Sequence, residues 1–353
     1  MMLTTKKIGF KGHAAAISIT LIATAFLLGF SGTLFAQEDQ SQNEAHQHQI
    51  TAEEFAVLRS KIPLYQEYTD EDIINSMERM GPNHNVYVSD ATVQGDIGIL
   101  ALAHGFNEPG DTQFKEAMIP ISKTYPTAVG YGMAMMTSEH IQSAVDDLVA
   151  AGAKTIVLIY TSFTPTSNLV KQWDYIFDRG NDSAYLDVPK VTPDVNLVVA
   201  PPQSDSLIIA DIMLDNVQQM STDPENELVI VVSHGPTDAD LNEKELVILE
   251  GYADHMRQKS DFSDIKVITL QDDAPRAIRA ANVTRFRNWV ETAAAEGKQV
   301  LVVSNLLTTG SVHRKINRDL EGLDYEFSTT GTMRHPLFQD WIEHAVNEAL
   351  KQS

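Results

Sequence analysis

The sequence contains no cysteine among its 353 residues. This absence excludes disulfide bridges and thiolate metal sites. Any metal ion must therefore be bound by histidine, aspartate, glutamate or water. The chain must also be stabilised by burial of an apolar core, and its length is sufficient for two domains.

Basic residues are scarce: 26 lysines and arginines stand against 48 aspartates and glutamates, giving a formal net charge of -22. Such an acidic chain is a poor partner for nucleic acid, whose phosphates require positive charge. It raises instead the local concentration of cations near its surface. The sequence also lacks a Walker A loop, a Gly-x-Gly-x-x-Gly motif after a strand and a Gly-x-Ser-x-Gly elbow, which argues against the enzyme classes that use them.

The amino-terminal segment has the pattern of a secretory signal peptide. Three lysines precede an apolar stretch over residues 14–30, and a small-residue cleavage signal ends at Ala36. A single membrane anchor is the alternative, but the acidic, glutamine-rich residues 37–49 follow where positive charge would be expected. We predict a signal peptide over residues 1–36, cleavage after Ala36, a periplasmic or secreted protein, and no stable membrane span after cleavage.

Residues 37–94 are predicted to form a polar tail followed by a helical extension. One helix should begin at Thr51 and run to about Ser60, because Thr51 and Glu54 have the spacing of a capping box. A second should run from Thr69 to Met80. We expect both helices to pack on the main body.

A strand-like apolar run that ends in His-Gly occurs twice, at His104-Gly105 and at His234-Gly235. Buried parallel strands carry their ligands at their carboxyl ends. The repeat therefore predicts two successive lobes, over residues 95–222 and 223–353, with the chemistry in the cleft between them.

Each half also contains a helix, a glycine and an apolar strand in that order. Gly152 and Gly297 suit a left-handed helix cap, and the strands that follow should cover residues 155–160 and 299–304. The alternation predicts an α/β fold in which each lobe is a parallel sheet with helices on both faces. The helices near residues 207–220 and 335–350 are predicted to be the last helices of the two halves, and we expect them to separate the lobes.

The ordered motifs at residues 104–108, 140–157, 200–213 and 310–319 resemble those of the class II tetrapyrrole metal chelatases. That family includes sirohydrochlorin cobaltochelatases and ferrochelatases, and protoporphyrin ferrochelatase. The resemblance covers most of residues 95–350 and implies two tandem chelatase-like lobes.

The resemblance implies that His234 and His313 form a metal pair and that His104 faces them across the cleft. Neutral imidazoles bind Co²⁺ or Fe²⁺ and titrate near neutral pH, so they can hold the metal and accept the displaced pyrrole protons. Arg314, Lys315 and Arg318 are candidates for binding the carboxylates of the tetrapyrrole. An exposed helix face is the alternative explanation of these residues.

Two departures from the family pattern affect the expected site. The first-half loop at residues 166–169 has no histidine, so the first half cannot form the same pair. Methionines at 133, 135 and 136 replace an acidic residue, and we interpret them as core filling. The acidic partner in the second half stays open among four residues, Asp238, Asp240, Asp272 and Asp273.

These observations predict an exported lyase of the sirohydrochlorin cobaltochelatase type that inserts Co²⁺ or Fe²⁺ into a tetrapyrrole, within cobalamin or siroheme biosynthesis. The alternative is a periplasmic tetrapyrrole-binding, haem-binding or metal-binding protein that keeps the chelatase fold without turnover. A periplasmic binding protein for a small organic solute is a third hypothesis. The sequence leaves the metal, the tetrapyrrole and the oligomeric state open.

Overall fold

The computed structural model describes residues 50–79, 81–308 and 310–351, which all belong to one compact unit spanning His48–Ser353. The predicted signal peptide and most of the polar tail lie outside these residues. No helix within them is long and apolar enough to cross a membrane.

The strands of the described chain form two sheets. The first has the order β1-β3-β2-β4-β5, in which only β1 is antiparallel, and the second has the parallel order β7-β6-β8-β9. The strands are β1 His84–Tyr87, β2 Ile97–Ala103, β3 Thr127–Tyr131, β4 Thr155–Tyr160, β5 Asn196–Val199, β6 Glu227–Ser233, β7 Asp264–Thr269, β8 Gln299–Ser304 and β9 Glu326–Phe327. The four parallel strands of each sheet share one order, as expected of tandem lobes.

Ten helices of the described chain cover the sheets and the extension. They are α1 Ala52–Lys61, α2 Asp70–Glu78, α3 Gly110–Ser122, α4 Glu139–Ala150, α5 Asn168–Ile176, α6 Ile208–Gln218, α7 Ala239–Gln258, α8 Arg276–Ala295, α9 Ser311–Asp319 and α10 Leu337–Leu350. Gly152 and Gly297 have positive φ angles of 95° and 78°, the left-handed conformation predicted at the ends of α4 and α8.

The two lobes share one apolar core. Ile99 and Val157 of the first sheet belong to the same buried cluster as Val229 and Leu301 of the second. Separate clusters lie on the outer faces, under α4 and α5 in the first lobe and under α8 and α9 in the second. The predicted α/β fold with helices on both faces of each sheet is confirmed.

The closing helices are exchanged between the lobes. The first-half helix α6 contacts β8 and α7 of the second half, whereas the carboxyl-terminal helix α10 contacts β4, β5 and α3 of the first. Both helices are buried in the core that the two sheets share, as expected of helices that separate the lobes. The apolar face of each helix indicates that the helix is buried, but it does not indicate which sheet the helix covers.

The extension packs on the first lobe through its own apolar cluster. Phe55, Leu58 and Ile73 are buried there together with Met135 and Tyr185. Thr51 and Thr69 each form a capping box at the start of a helix, as the sequence predicts at Thr51. The predicted boundary at residue 95 stays a prediction, and β1, which precedes it, pairs with β3 in the first sheet.

Candidate functional site

The two His-Gly turns have the same local geometry. Gly105 and Gly235 have positive φ angles of 84° and 75°, which favour glycine. A Cβ on Gly235 would lie 2.6 Å from the Cβ of Thr269, so a side chain has no room there. The strand ends are therefore followed by tight turns that leave the two rings at the carboxyl edge of their sheets.

In each turn, the Nδ1 of the histidine bonds the carbonyl oxygen of the glycine that follows it. The bond is 3.0 Å long at His234, and His104 makes the corresponding bond to Gly105. Because a carbonyl oxygen only accepts, Nδ1 carries the proton in both rings. Nε2 of each neutral ring is then unprotonated, which is the form that binds a metal ion or accepts a proton.

The edges of the two lobes meet beside these histidines. A Cβ on Gly110, in the segment after His104, would lie 3.7 Å from the Cγ2 of Thr308 in the loop after β8. The charge of His234 contributes to the electrostatic environment of His104. Burial and this charge both lower the pKa of His104, which is therefore neutral near pH 7. The structure thus places His104 and His234 within electrostatic reach of each other, where the edges of the two lobes meet.

In the described chain a carboxylate lies within ion-pair distance of the second histidine, whereas the charge of Asp111 acts on the first from farther away. Asp273 Oδ2 lies 3.6 Å from Nε2 of His234, whose side chain is 39% exposed. Burial lowers the pKa of His234, but the carboxylates of Asp273 and Asp272 together outweigh burial and raise it. Of the four candidate acidic residues, Asp238 instead caps α7 by accepting a 2.9 Å bond from the Leu241 N–H, and Asp240 is exposed.

Asp272 links this cleft to α9 through buried charges. Its fully buried carboxylate accepts a 2.6 Å bond from Nε of Arg279 and lies 3.7 Å from Nζ of Lys315. Arg279 also contacts Asp319 at 2.6 Å. Burial raises the pKa of Asp272, but the positive charge of His234, Lys315 and Arg279 outweighs burial and lowers it. The network fixes the end of β7 against the helix that carries His313.

His313 lies at the same sheet edge but makes different contacts. Its Nε2 is 3.3 Å from Oγ of Ser304, and its ring stacks on Phe327 with centroids 4.6 Å apart. Ser304 pairs with Val232, two residues before His234. Nδ1 of His313 has no hydrogen-bond partner in the described chain, and burial lowers its pKa to about 4.

Arg314 and Arg318 are exposed on α9. Their neighbour Lys315 instead reaches Asp272 in the cleft. The described residues contain no group of three or more histidine, aspartate or glutamate side chains arranged to hold a metal.

Two parts of the site were not predicted from the sequence. Glu245 of α7 is buried and accepts a 2.6 Å bond from the hydroxyl of Ser233, directly before His234. Burial raises the pKa of Glu245. The spacing of Asp238, Asn242 and Glu245, which places them on one face of α7, is the signal that could have found it.

The second part that was not predicted consists of Tyr65 of the extension and Tyr185, which belongs to the same apolar cluster. Tyr65 of the extension donates to or accepts from Ser76 Oγ at 2.7 Å. Burial raises the pKa of Tyr65 and of Tyr185, and the charge of Asp273 raises both further. Both phenols therefore lie within electrostatic reach of the carboxylate beside His234. Met135 is buried in the extension cluster, as interpreted, and Met133 and Met136 are partly buried against it.

Comparison with solved structures identifies the fold. SirB from Bacillus subtilis with Fe³⁺ matches with a TM-score of 0.54 and 15% identity, over 72% of this chain and 96% of that one. The sirohydrochlorin chelatase SirB from Bacillus subtilis subspecies spizizenii, in complex with cobalt, matches with a TM-score of 0.52 and 13% identity, over 73% and 96%. This chain has a chelatase-like fold.

No family model matches the sequence, and no curated protein matches it either. At 13–15% identity the structural likeness establishes the fold. The chemistry of this chelatase-like chain must be argued from its own residues.

Proposed function

We propose that this protein inserts a divalent metal ion, Co²⁺ or Fe²⁺, into a tetrapyrrole, as a lyase of the sirohydrochlorin chelatase type. One observation carries the proposal: the paired His-Gly turns leave Nε2 of His104 and His234 free for metal or proton in one cleft, with Asp273 3.6 Å from His234. The SirB structures with Fe³⁺ and with cobalt share the fold that presents these turns.

In the proposed reaction the metal ion, as substrate, binds to Nε2 of His234 with Asp273 as a neighbouring oxygen ligand. His313 is the second histidine ligand that the resemblance implies. Its ring lies at the edge where β8 ends, and binding requires it to leave Ser304. A site of few ligands suits an ion that must be released into the macrocycle.

Metal insertion displaces two pyrrole protons, and the site needs bases to accept them. We propose that His104 takes one, because its lowered pKa keeps it neutral and ready to accept. His234 takes the other once the metal has left its Nε2, since Asp273 and Asp272 stabilise the protonated ring. Charge is then balanced: one divalent cation enters the macrocycle and two protons leave it.

We also propose that the protein acts outside the cytoplasm, on the basis of the predicted signal peptide over residues 1–36. This location supports the second candidate function, a periplasmic tetrapyrrole, haem or metal-binding protein without turnover. The observation that favours it is the extension, whose Tyr65 lies within electrostatic reach of the Asp273 carboxylate beside His234.

A titration of purified protein with Co²⁺ and sirohydrochlorin, followed by absorbance, separates the two functions. We expect metal-dependent conversion of the spectrum above the uncatalysed rate in the wild type and its loss in His234→Ala. His344→Ala, which removes an exposed histidine of α10, is the matched control and should convert like the wild type. A spectral shift on tetrapyrrole addition without conversion would favour the binding protein, and no change at all would contradict both functions.

A further inference from the structure

Each His-Gly turn is bonded to one buried carboxyl group from the helix that follows it. Asp111, in the first turn of α3, bonds the turn at His104, and Glu245 of α7 bonds the turn at His234. Burial of a carboxyl group costs free energy unless hydrogen bonds compensate for the lost water. The partners of these two bonds therefore indicate which part of each turn the carboxyl group holds.

Asp111 fixes the residue whose ring packs on His104. Its Oδ1 accepts a 2.7 Å bond from the backbone N–H of Phe106, and the Phe106 ring meets the His104 ring edge-to-face, with centroids 4.7 Å apart. Both backbone groups of Asp111 are also bonded: its N–H donates to the carbonyl oxygen of Asn107 at 3.1 Å, and its carbonyl oxygen accepts a 2.7 Å bond from the hydroxyl of the buried Tyr131. The orientation of the His104 ring therefore depends on Asp111 through Phe106.

Glu245 instead holds the residues on both sides of His234. Its Oε1 accepts a 2.6 Å bond from the hydroxyl of Ser233, and its carboxyl group also accepts a bond from the backbone N–H of Gly235. The turn has little space to relax, because a Cβ on Gly235 would lie 3.0 Å from Oδ1 of Asn242, almost one turn before Glu245 on α7. Glu245 thus acts on the backbone that carries His234, whereas Asp111 acts on a ring beside its histidine.

The two carboxyl groups do not occupy the same position of the repeat. Asp111 follows His104 by seven residues, whereas Glu245 follows His234 by eleven, so the two positions differ by about one helical turn. A carboxyl group displaced by one turn reaches a different part of the His-Gly segment, which agrees with the different bonds. Each histidine is therefore oriented by its own support, and the loss of one support should leave the other intact.

We propose that Asp111 and Glu245 are positioning residues that act through the two histidines. Glu245 aims Nε2 of His234 at the metal ion. Asp111 aims Nε2 of His104 at the pyrrole proton. This inference rests on the proposed function, in which one histidine binds the metal ion and the other accepts a proton. Loss of Glu245 should therefore weaken metal binding, whereas loss of Asp111 should slow insertion and leave metal binding unchanged.

The first test is the Kd of Co²⁺ alone, measured by calorimetry on the full protein without tetrapyrrole. We expect Glu245→Ala to raise this Kd about tenfold, as for the loss of a group that orients a metal ligand. Glu245→Gln should recover part of the loss, because its amide oxygen can still accept the bond from Ser233. Asp111→Ala should keep the wild-type Kd. Glu243→Ala, at an exposed position of α7, is the matched control and should also keep it.

The second test separates insertion from metal binding in the absorbance assay with sirohydrochlorin. We expect Asp111→Ala to lower kcat about tenfold with an unchanged KM for Co²⁺, since a misplaced proton acceptor slows the chemical step. Glu245→Ala should raise the KM for Co²⁺ instead. Both variants remove a buried carboxyl group, so general destabilisation would change kcat and KM alike in the two proteins. Such parallel changes would overturn the inference.

A measurement without metal or tetrapyrrole keeps the inference distinct from the proposed function. In the wild type both rings carry the proton on Nδ1, and ¹⁵N NMR of the ring nitrogens at alkaline pH reports this tautomer. We expect Asp111→Ala to give a mixture of tautomers at His104 only, and Glu245→Ala to give one at His234 only. Unchanged tautomers in both variants, or mixtures at both histidines in each, would overturn the inference even if the wild type inserts metal. If the expected mixtures form but the wild type binds no Co²⁺, the proposed function fails and the positioning of the rings is supported.

Discussion

At the scale of single residues, the two histidines of the repeated turn are alike in hydrogen bonding and different in charge. Both bond a glycine carbonyl through Nδ1. Desolvation of the half-buried His104 and the charge of His234 lower the pKa of His104, whereas the charges of Asp273 and Asp272 raise the pKa of His234. We therefore propose separate roles for the two imidazoles: His104 as a neutral base, and His234 as the ring that exchanges a proton for a metal ion.

Asp273→Asn tests the electrostatic part of this assignment. Because the Asp273 carboxylate stabilises the protonated ring, its removal should lower the pKa of His234, measured by NMR titration of the ring in metal-free protein. Asp238→Asn is the matched control, since asparagine also caps helices well and Asp238 serves as the cap of α7. An unchanged pKa of His234 in Asp273→Asn, or an equal fall in the control, would refute the assignment.

A buried histidine outside the cleft predicts how stability depends on pH. Neither ring nitrogen of His140 has a hydrogen-bond partner in the described chain. Burial, with a contribution from His84, lowers its pKa from 6.5 to about 4. The unfolded state therefore binds this proton more readily. The contribution of the neutral His140 ring to the free energy of unfolding is fully present above pH 6.5, and it is lost as the pH falls toward 4.

We expect protonation of His140 to lower the free energy of unfolding by about 2 kcal/mol between pH 7 and pH 5. Urea unfolding of His140→Gln should show a loss over this range that is smaller than the wild-type loss by about that amount. His344→Gln, at an exposed position, should keep the wild-type dependence. Parallel curves for His140→Gln and the wild type would show that His140 is not buried as a neutral ring.

At the scale of elements, the sequence predicted the helices and strands that depend on local signals. The strands at Thr155–Tyr160 and Gln299–Ser304 are confirmed, since apolar runs after a capping glycine need no distant information. The placement of α10 depends on contacts between residues far apart in the chain. The apolar faces of α6 and α10 fit either sheet as far as their sequence pattern shows, and only the packing decides the exchange.

Trp341→Ala tests the exchange of helices. Trp341 of α10 is 1% exposed in the shared core, and its truncation should cost about 3–5 kcal/mol. Since α10 contacts β4 and β5, hydrogen exchange should speed up most at the amides of the first sheet, although the mutation lies at the end of the second half.

Val247→Ala, at a side chain that is 73% exposed on α7, should leave stability within about 0.5 kcal/mol. It provides the baseline for the exchange rates of both sheets. Loss of protection confined to the second sheet in Trp341→Ala would contradict the exchanged arrangement.

At the scale of the whole molecule, the residues of the site come from three parts of the chain that are distant in sequence: the extension, the first lobe and the second lobe. The histidines at the strand ends were predictable because a buried strand and a His-Gly turn are local patterns. The contribution of Tyr65 was not, because it depends on how the extension packs against Met135 and Tyr185. The contacts of His313 with Ser304 and Phe327 likewise depend on the angle at which α9 packs.

The chelatase-like fold explains why such scattered residues converge. Parallel strands bring their carboxyl ends to one edge in each lobe, and the shared core fixes the two edges relative to each other. The extension then adds Tyr65, which lies within electrostatic reach of Asp273. The central claim is that a metal ion binds at this edge, on His234.

Anomalous X-ray diffraction from crystals soaked with Co²⁺ tests that claim most directly. We predict a cobalt peak about 2.1 Å from Nε2 of His234, beside Asp273, with His313 as a second ligand turned away from Ser304. A cobalt ion bound only elsewhere, with the His234 ring still against Asp273 and the His313 ring still against Ser304, would contradict the account.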